Sequence, residues 1–352
     1  MKAKQAADSG PRLTIELTNI CNLHCAYCLR DADALYNSPA HFFRLELLDL
    51  ILDEARTIMG ISDIGFTGGE PSLHPEFAKV LELVGAHNLT ASFVTNGWHF
   101  ERIWPILVSH RQSLSHVAFS LDGVTRDNHD RWRGEGSFVR LVRAFSRCYA
   151  SELPFIFKVG IRRDTVKQLE QIALFAARMG AAGLSFGHLM PTSEASAKDL
   201  ALNLDERRDA EQEIASLAAI FKMKIGIDVG YFNIDPAAPC KPLAGAGGNI
   251  DYQGRLSLCC NLSGFRGADG ERDVVADLNQ ESFAAGYVRL RNLAASQLET
   301  RRAHLATLPA KEAQEDLYSA SPCLFCLKTF GKLPWLQGSA FKELTRPLPV
   351  VN

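Results

Sequence analysis

The chain is short of several things that would have placed it quickly. None of its 352 residues falls in an apolar run of about 18, so nothing in it reads as a transmembrane helix. Charge of one sign is not in excess. The 38 Lys and Arg nearly balance 40 Asp and Glu, for a net charge of −2, and no global basic field draws nucleic acid or an anionic membrane. Residues 1–11 are polar and lack the apolar core of a signal peptide, so they read as a disordered lead-in and the protein as cytoplasmic. No low-complexity linker interrupts the chain. What remains is ordinary globular composition, 47% hydrophobic and 22% charged, with length for one large domain or two smaller ones.

Cysteine is the residue present in excess. Nine are many for a chain in a reducing compartment, where they serve more often as ligands or catalysts than as disulfides. Cys21, Cys25 and Cys28 fall within eight residues, Cys240, Cys259, Cys260, Cys323 and Cys326 fall in the last third, and Cys148 stands alone. Cys148 lies on an expected helix and reads as a small buried hydrophobe.

Strand-like runs at Arg12–Leu17, Asp63–Thr67, Thr90–Thr95, His116–Leu121, Phe155–Ile161 and Gly183–His188 alternate with helical stretches near 45–58, 75–87, 99–112, 137–150 and 166–179, with a further helix near 205–222. Such alternation predicts an α/β fold with a parallel sheet, and six units predict a partial, TIM-like (β/α)6 barrel over 12–235. Loops after the strands build the active site in barrels of this kind. The run Asp205-Glu206-Arg207-Arg208 reads as a solvated helix face. Beyond residue 235 the alternation stops. Asn249–Cys260 reads as a β-hairpin turning at Gln253-Gly254, residues 279–316 look helical, and Cys323 and Cys326 follow. This predicts a small α+β unit over 236–335 and a tail over 336–352.

Directly after the first strand comes Cys21-x3-Cys25-x2-Cys28. Thiolates suit iron–sulfur clusters and zinc alike. One tight loop can bring three thiolates to three corners of a cubane, leaving one iron open to chelate an amino-acid-like cofactor. The alternative is a structural zinc loop, which normally needs four closed ligands; no fourth Cys or His lies at the expected short spacing.

This spacing, with Tyr27 just before the last cysteine, resembles the signature of the radical S-adenosylmethionine (radical SAM) superfamily. Further matches follow the strands: Gly68-Gly69-Glu70-Pro71, Thr95-Asn96-Gly97, Ser120-Leu121-Asp122-Gly123 and His129-Asp130-x-x-Arg133-Gly134. The last two resemble the branch of anaerobic sulfatase-maturating and peptide-modifying SPASM proteins, and the likeness covers about residues 12–195. It implies that Cys21, Cys25 and Cys28 hold a [4Fe–4S] cluster and that SAM binds beside Tyr27, Gly68, Gly69, Glu70, Asn96, Ser120 and Arg133. Arg131 competes with Arg133 for its role. Leu189 would pack on adenine, or simply belong to the core. The implied chemistry is reductive cleavage of SAM to methionine and a 5′-deoxyadenosyl radical that removes hydrogen from substrate. An electron donor such as flavodoxin or ferredoxin would be a partner.

The C-terminal pattern Cys240-x13-Gly254-x4-Cys259, followed by Cys323-x2-Cys326, resembles the shortened SPASM form called Twitch. That implies one auxiliary [4Fe–4S] cluster on Cys240, Cys259, Cys323 and Cys326; by spacing alone, four-cysteine zinc is the rival. Cys260 competes with Cys259, because adjacent strand residues face opposite sides. Such a cluster could accept the electron that leaves a substrate radical.

The resemblance implies foremost an enzyme modifying a ribosomally made peptide by oxidation, cross-linking or backbone change. Because the barrel starts within about a dozen residues of Met1, the expectation is either a separate peptide-recognition protein or a substrate bound by the barrel mouth alone. The alternatives are a small-molecule dehydrogenase or cyclase of the Twitch type, and a non-catalytic iron–sulfur carrier. The carrier would not need the SAM-binding turn. The catalytic base is left open; Asp122 reads equally as a base or as part of its turn.

Overall fold

The computed structural model describes residues 10–30, 33–265 and 271–333. Most of the expected lead-in, 1–11, and all of the tail, 336–352, lie outside them. Ten strands form one sheet: β1 (Arg12–Glu16), β2 (Asp63–Thr67), β3 (Thr90–Thr95), β4 (Leu114–Ser120), β5 (Phe155–Ile161), β6 (Gly183–His188), β7 (Lys224–Val229), β8 (Gly247–Ile250), β9 (Arg255–Ser257) and β10 (Val274–Asp277). Their order is β10-β9-β8-β1-β2-β3-β4-β5-β6-β7, open at β10 and β7, as a partial barrel requires.

The first six strands follow the expected order and pair in parallel. A seventh parallel strand, β7, was not anticipated. Its sequence, Lys-Ile-Gly-Ile-Asp-Val, alternates with period two, but three of its six residues are Lys, Gly or Asp, so no hydrophobic run announced it. The expected hairpin is present: β8 and β9 are antiparallel around Gly254, whose φ of 84° suits a residue without Cβ. Its position was not foreseen, because β8 pairs in parallel with β1 and continues the barrel sheet.

β5 shows how the layers are divided. Phe155, Phe157, Val159 and Ile161 are buried, with Phe155 and Phe157 packed on Phe145 and Phe157 on Phe175 of the surrounding helices. Ile156, Lys158 and Gly160, on the other face, are only half-buried and line the interior. The long helix Phe283–Ala306 packs on the β9–β10 end of the sheet and on the helix Leu45–Met59. Arg207 corrects the reading of its segment as a solvated face. It is 1% exposed and donates to the carbonyls of Leu202 and Leu189, while Asp205 beside it stays in solvent. Cys148 is buried, as its helical position implied. Among the described residues no helix is long and apolar enough to cross a membrane.

Candidate active site

β1 delivers the chain into the three-cysteine loop, where the Cys28 N–H donates to the Cys25 carbonyl at 2.9 Å. The three thiols are half-buried, and burial pushes each of them up, Cys21 to about 12. His24 is exposed and stacks on Tyr36 at 3.8 Å.

The Gly68-Gly69 turn lies directly against this loop. Gly69 N donates to the Thr18 carbonyl and Glu70 N to the Ile20 carbonyl, both at 2.8 Å. A Cβ on Gly68 would meet the Thr18 oxygen at 2.4 Å, and one on Gly69 would meet the Ile20 oxygen at 1.8 Å. Glycine is required because two backbones touch here. Glu70, 1% exposed, accepts from Ser72 Oγ and Thr95 Oγ1 at 2.7 Å, from Asn96 N at 2.8 Å and from Ser72 N at 3.3 Å. Burial raises its pKa, while these donors favour the ionised form. Its carboxylate clamps the turn after β2 to the turn after β3. Asn96 in turn points Nδ2 at Cys21 Sγ, 3.9 Å away, and at Asn22 Oδ1, 3.0 Å away.

On the other side of the cysteine loop a buried charge cluster has formed. Asp122 accepts from Arg133 Nε, Arg162 Nη1 and the Tyr27 hydroxyl, and Arg133 Nη2 donates to that hydroxyl at 2.9 Å. Arg162 is fully buried and stacks over the rings of Tyr27 and Trp132, at 4.7 and 4.4 Å. Burial alone would raise the Asp122 carboxyl, but the Arg133 and Arg162 guanidiniums outweigh it and hold it well below the usual carboxylate range. These bonds tie Asp122 to Tyr27, Arg133 and Arg162 and favour its ionised form.

The His-Asp-x-x-Arg segment lies mostly on a helix, Arg126–Arg133, that the polar sequence had hidden; Thr125 caps it by accepting from Asn128 N. His129 Nδ1 accepts from Asp122 N, and burial lowers its pKa to about 4, so it is neutral. Asp130 binds Ser137 Oγ and the N–H groups of Gly136 and Phe138, starting the next helix. Arg133 turns inward to Tyr27, whereas its competitor Arg131 is exposed.

Ser120 is half-buried at the end of β4, paired with Lys158 of β5, and Asn22 Nδ2 is buried without a hydrogen-bond partner. Leu189, just beyond β6, is buried; a Cβ on Gly160 would meet its Cδ2 at 3.2 Å and the Tyr27 ring at 3.8 Å. Three thiols from one loop, a backbone cradle closed to any Cβ and an unsatisfied buried amide fit a cluster with an open iron and a bound amino-acid-like cofactor. Sequence reasoning missed Arg162. Its position one residue past β5, where the other motifs also begin, was the available signal.

The late cysteines converge as well. Cys240, Cys259, Cys323 and Cys326 line one small cavity with Leu243 and Leu258, and Cys260 is not among its lining residues. Strand alternation does not decide between the neighbours, because β9 ends at Ser257 and Cys259 is the N-cap of a short helix, Cys260–Ser263. Cys260 is hydrogen-bonded to the Cys259 thiol and also feels the charges of Arg30, Lys158 and Glu16 in the barrel. Glu16, 2% exposed, accepts from Arg30 Nη1 at 2.6 Å, Ser263 Oγ at 2.5 Å and Asn249 Nδ2 at 3.0 Å, tying the first cysteine loop to the β8 region. Among the described residues no three His, Cys, Asp or Glu side chains are grouped to hold a single metal ion.

Residues 15–176 match the Radical SAM superfamily. Over 245 residues the chain is 30% identical to mycofactocin maturase MftC of Mycobacterium tuberculosis, an alignment covering 69% of this chain and 60% of that protein. Over 254 residues it is 26% identical to PqqA peptide cyclase of Gluconobacter oxydans, covering 70% of this chain and 69% of that one. The fold is like that of Streptococcus suis SuiB bound to S-adenosylmethionine, with a TM-score of 0.63 and 12% identity over 80% of this chain and 68% of the other. The chain thus spans about three-fifths of the length of its mycobacterial relative. The part that carries the three-cysteine loop and the Gly-Gly turn, residues 15–176, is a radical SAM domain.

Proposed function

We propose that the protein is a radical SAM enzyme that modifies a ribosomally made peptide by oxidation, cross-linking or a backbone change. The observation that carries this reading is the three-thiol loop held by two backbone hydrogen bonds against the Gly68-Gly69 turn. In this reading Cys21, Cys25 and Cys28 hold the SAM-binding [4Fe–4S] cluster. Gly68, Gly69, Asn96, Ser120 and Arg133 face SAM, Tyr27 and Leu189 contribute apolar surface, and Glu70 fixes the turn rather than touching the ligand. Bound there, the cluster and SAM supply a 5′-deoxyadenosyl radical that removes hydrogen from substrate. The protein's part is to orient the substrate above the loop and to exclude water. A peptide substrate is supported by the likeness to a maturase and a peptide cyclase.

The same reading gives residues 236–335 an auxiliary [4Fe–4S] cluster on Cys240, Cys259, Cys323 and Cys326. A tetrahedral zinc at about 2.3 Å per sulfur draws its thiolates close together. A cubane spreads them further, which suits four cysteines from three separate segments around one cavity. An electron donor of flavodoxin or ferredoxin type completes the system.

The test is anaerobic. The reconstituted protein, given SAM and dithionite, should form 5′-deoxyadenosine, and a variant with Cys21, Cys25 and Cys28 all changed to Ala should not. Absence of product from protein loaded with about eight irons per chain overturns the enzyme reading. Precursor peptides that lose a pair of hydrogens by mass only with the wild type support the peptide substrate; none reacting while 5′-deoxyadenosine forms moves the search to small molecules.

A further inference from the structure

The long helix Phe283–Ala306 carries two buried polar residues, one turn apart, beside the late cysteines. Gln297, 7% exposed, points Nε2 at Cys326 Sγ, 3.6 Å away, and is fixed by a 2.6 Å bond to Thr329 Oγ1. Arg301, 1% exposed, donates through Nη2 to the carbonyl of Asn233 and, at 3.1 Å, to that of Ser319. Asn233 follows Gly230, whose N–H lies 3.4 Å from Cys323 Sγ, and Ser319 precedes Cys323 by four residues. Arg301 Nε is buried without a partner. No carboxylate pairs with this guanidinium among the described residues; the groups that act on it most are Cys326, Cys240, Tyr231 and Cys323.

A buried cation with no counter-charge is costly unless something negative stands near it. Four thiolates around a cluster core carry a net charge of about −2, and taking up an electron makes it more negative. Hydrogen bonds to cysteine sulfur and nearby positive charge both favour the reduced form. We infer that Gln297 and Arg301 raise the reduction potential of the auxiliary cluster and so favour its taking up an electron. This rests on the auxiliary-cluster reading proposed above. Both are positioning residues, since neither is a ligand.

The experiment uses the full chain with Cys21, Cys25 and Cys28 changed to Ala, so that only the late cysteines can hold iron. After reconstitution, iron and sulfide are counted and the cluster is titrated with dithionite while its electron paramagnetic resonance signal is followed. In this background Arg301→Met should shift the reduced-to-oxidised ratio at a fixed potential by about tenfold toward oxidised, a midpoint about 59 mV lower for a one-electron couple. Gln297→Leu should shift it the same way by about threefold. Arg301→Lys, which loses the same carbonyl bonds but keeps the charge, should stay within about twofold of the parent. If the parent binds no cluster, the auxiliary-cluster reading falls and the inference with it. If the cluster forms and Arg301→Met leaves the midpoint unmoved, or Arg301→Lys moves it as far as Met does, the inference alone falls.

Discussion

Asp122 gathers more charge than any other single residue of the barrel mouth. Two guanidiniums and a tyrosine hydroxyl converge on a carboxylate that is 1% exposed. Removing one partner of a buried pair leaves an uncompensated charge, so Asp122→Asn should cost about 3–5 kcal/mol, read from urea unfolding of the anaerobic protein at pH 7. The pH dependence follows from the direction of the shift. The folded carboxyl titrates below its ordinary value of 3.8, so its stabilisation is complete above that value and is lost as pH falls below it. The stability gap between wild type and Asp122→Asn should therefore be widest near neutrality and narrow below about pH 4. A gap that stays constant through that range would mean the carboxylate is not ionised in the folded protein.

At the scale of elements, the two turns and the cysteine loop behave as one unit. The Gly69 position has no space for a methyl group, since the Ile20 carbonyl lies 1.8 Å from where it would sit. Gly69→Ala should push the cysteine loop off its seat while leaving the sheet behind it intact. The expected result is loss of about four of about eight irons with unchanged far-ultraviolet circular dichroism. Retention of all iron would show that the loop does not depend on the turn. The late cysteines offer a matched pair at one helix start: Cys259→Ala should abolish the auxiliary cluster and Cys260→Ala should keep it, because only Cys259 lines the cavity. The reverse pattern would exchange their roles.

At the scale of the whole molecule, β8 joins the auxiliary region to the barrel through β1, and Glu16 binds Arg30, Asn249 and Ser263 across that junction. The cavity cysteines come from three separate segments, so a cluster there cross-links the loop at 240, the helix start at 259 and the helix Pro322–Thr329. Chelating iron from the reconstituted protein should make residues 231–333 sensitive to limited proteolysis while β1 to β6 stay protected. Equal protection with and without iron would show that packing alone holds this region.

Much of this was legible in one sequence. Six strands of the parallel sheet could be placed because their apolar runs are short and bounded by Gly, Asp and Asn, and the first cysteine loop could be read because its ligands are consecutive in the chain. What the chain order could not give was which distant groups meet. Arg133 and Arg131 differ only by the face of a helix whose polar sequence hid it. β7 carries too few apolar residues to stand out, and the docking of β8 on β1 depends on strand pairing across more than two hundred residues. Glu70 was expected beside SAM from the resemblance alone; that its carboxylate also ties the turns after β2 and β3 together through Ser72, Thr95 and Asn96 is visible only in the fold. The sequence by itself determined the chemistry available, since thiols at fixed short spacing can be recognised without coordinates. Only the tertiary structure decided which charges are buried together, because that depends on contacts between segments that no local pattern encodes.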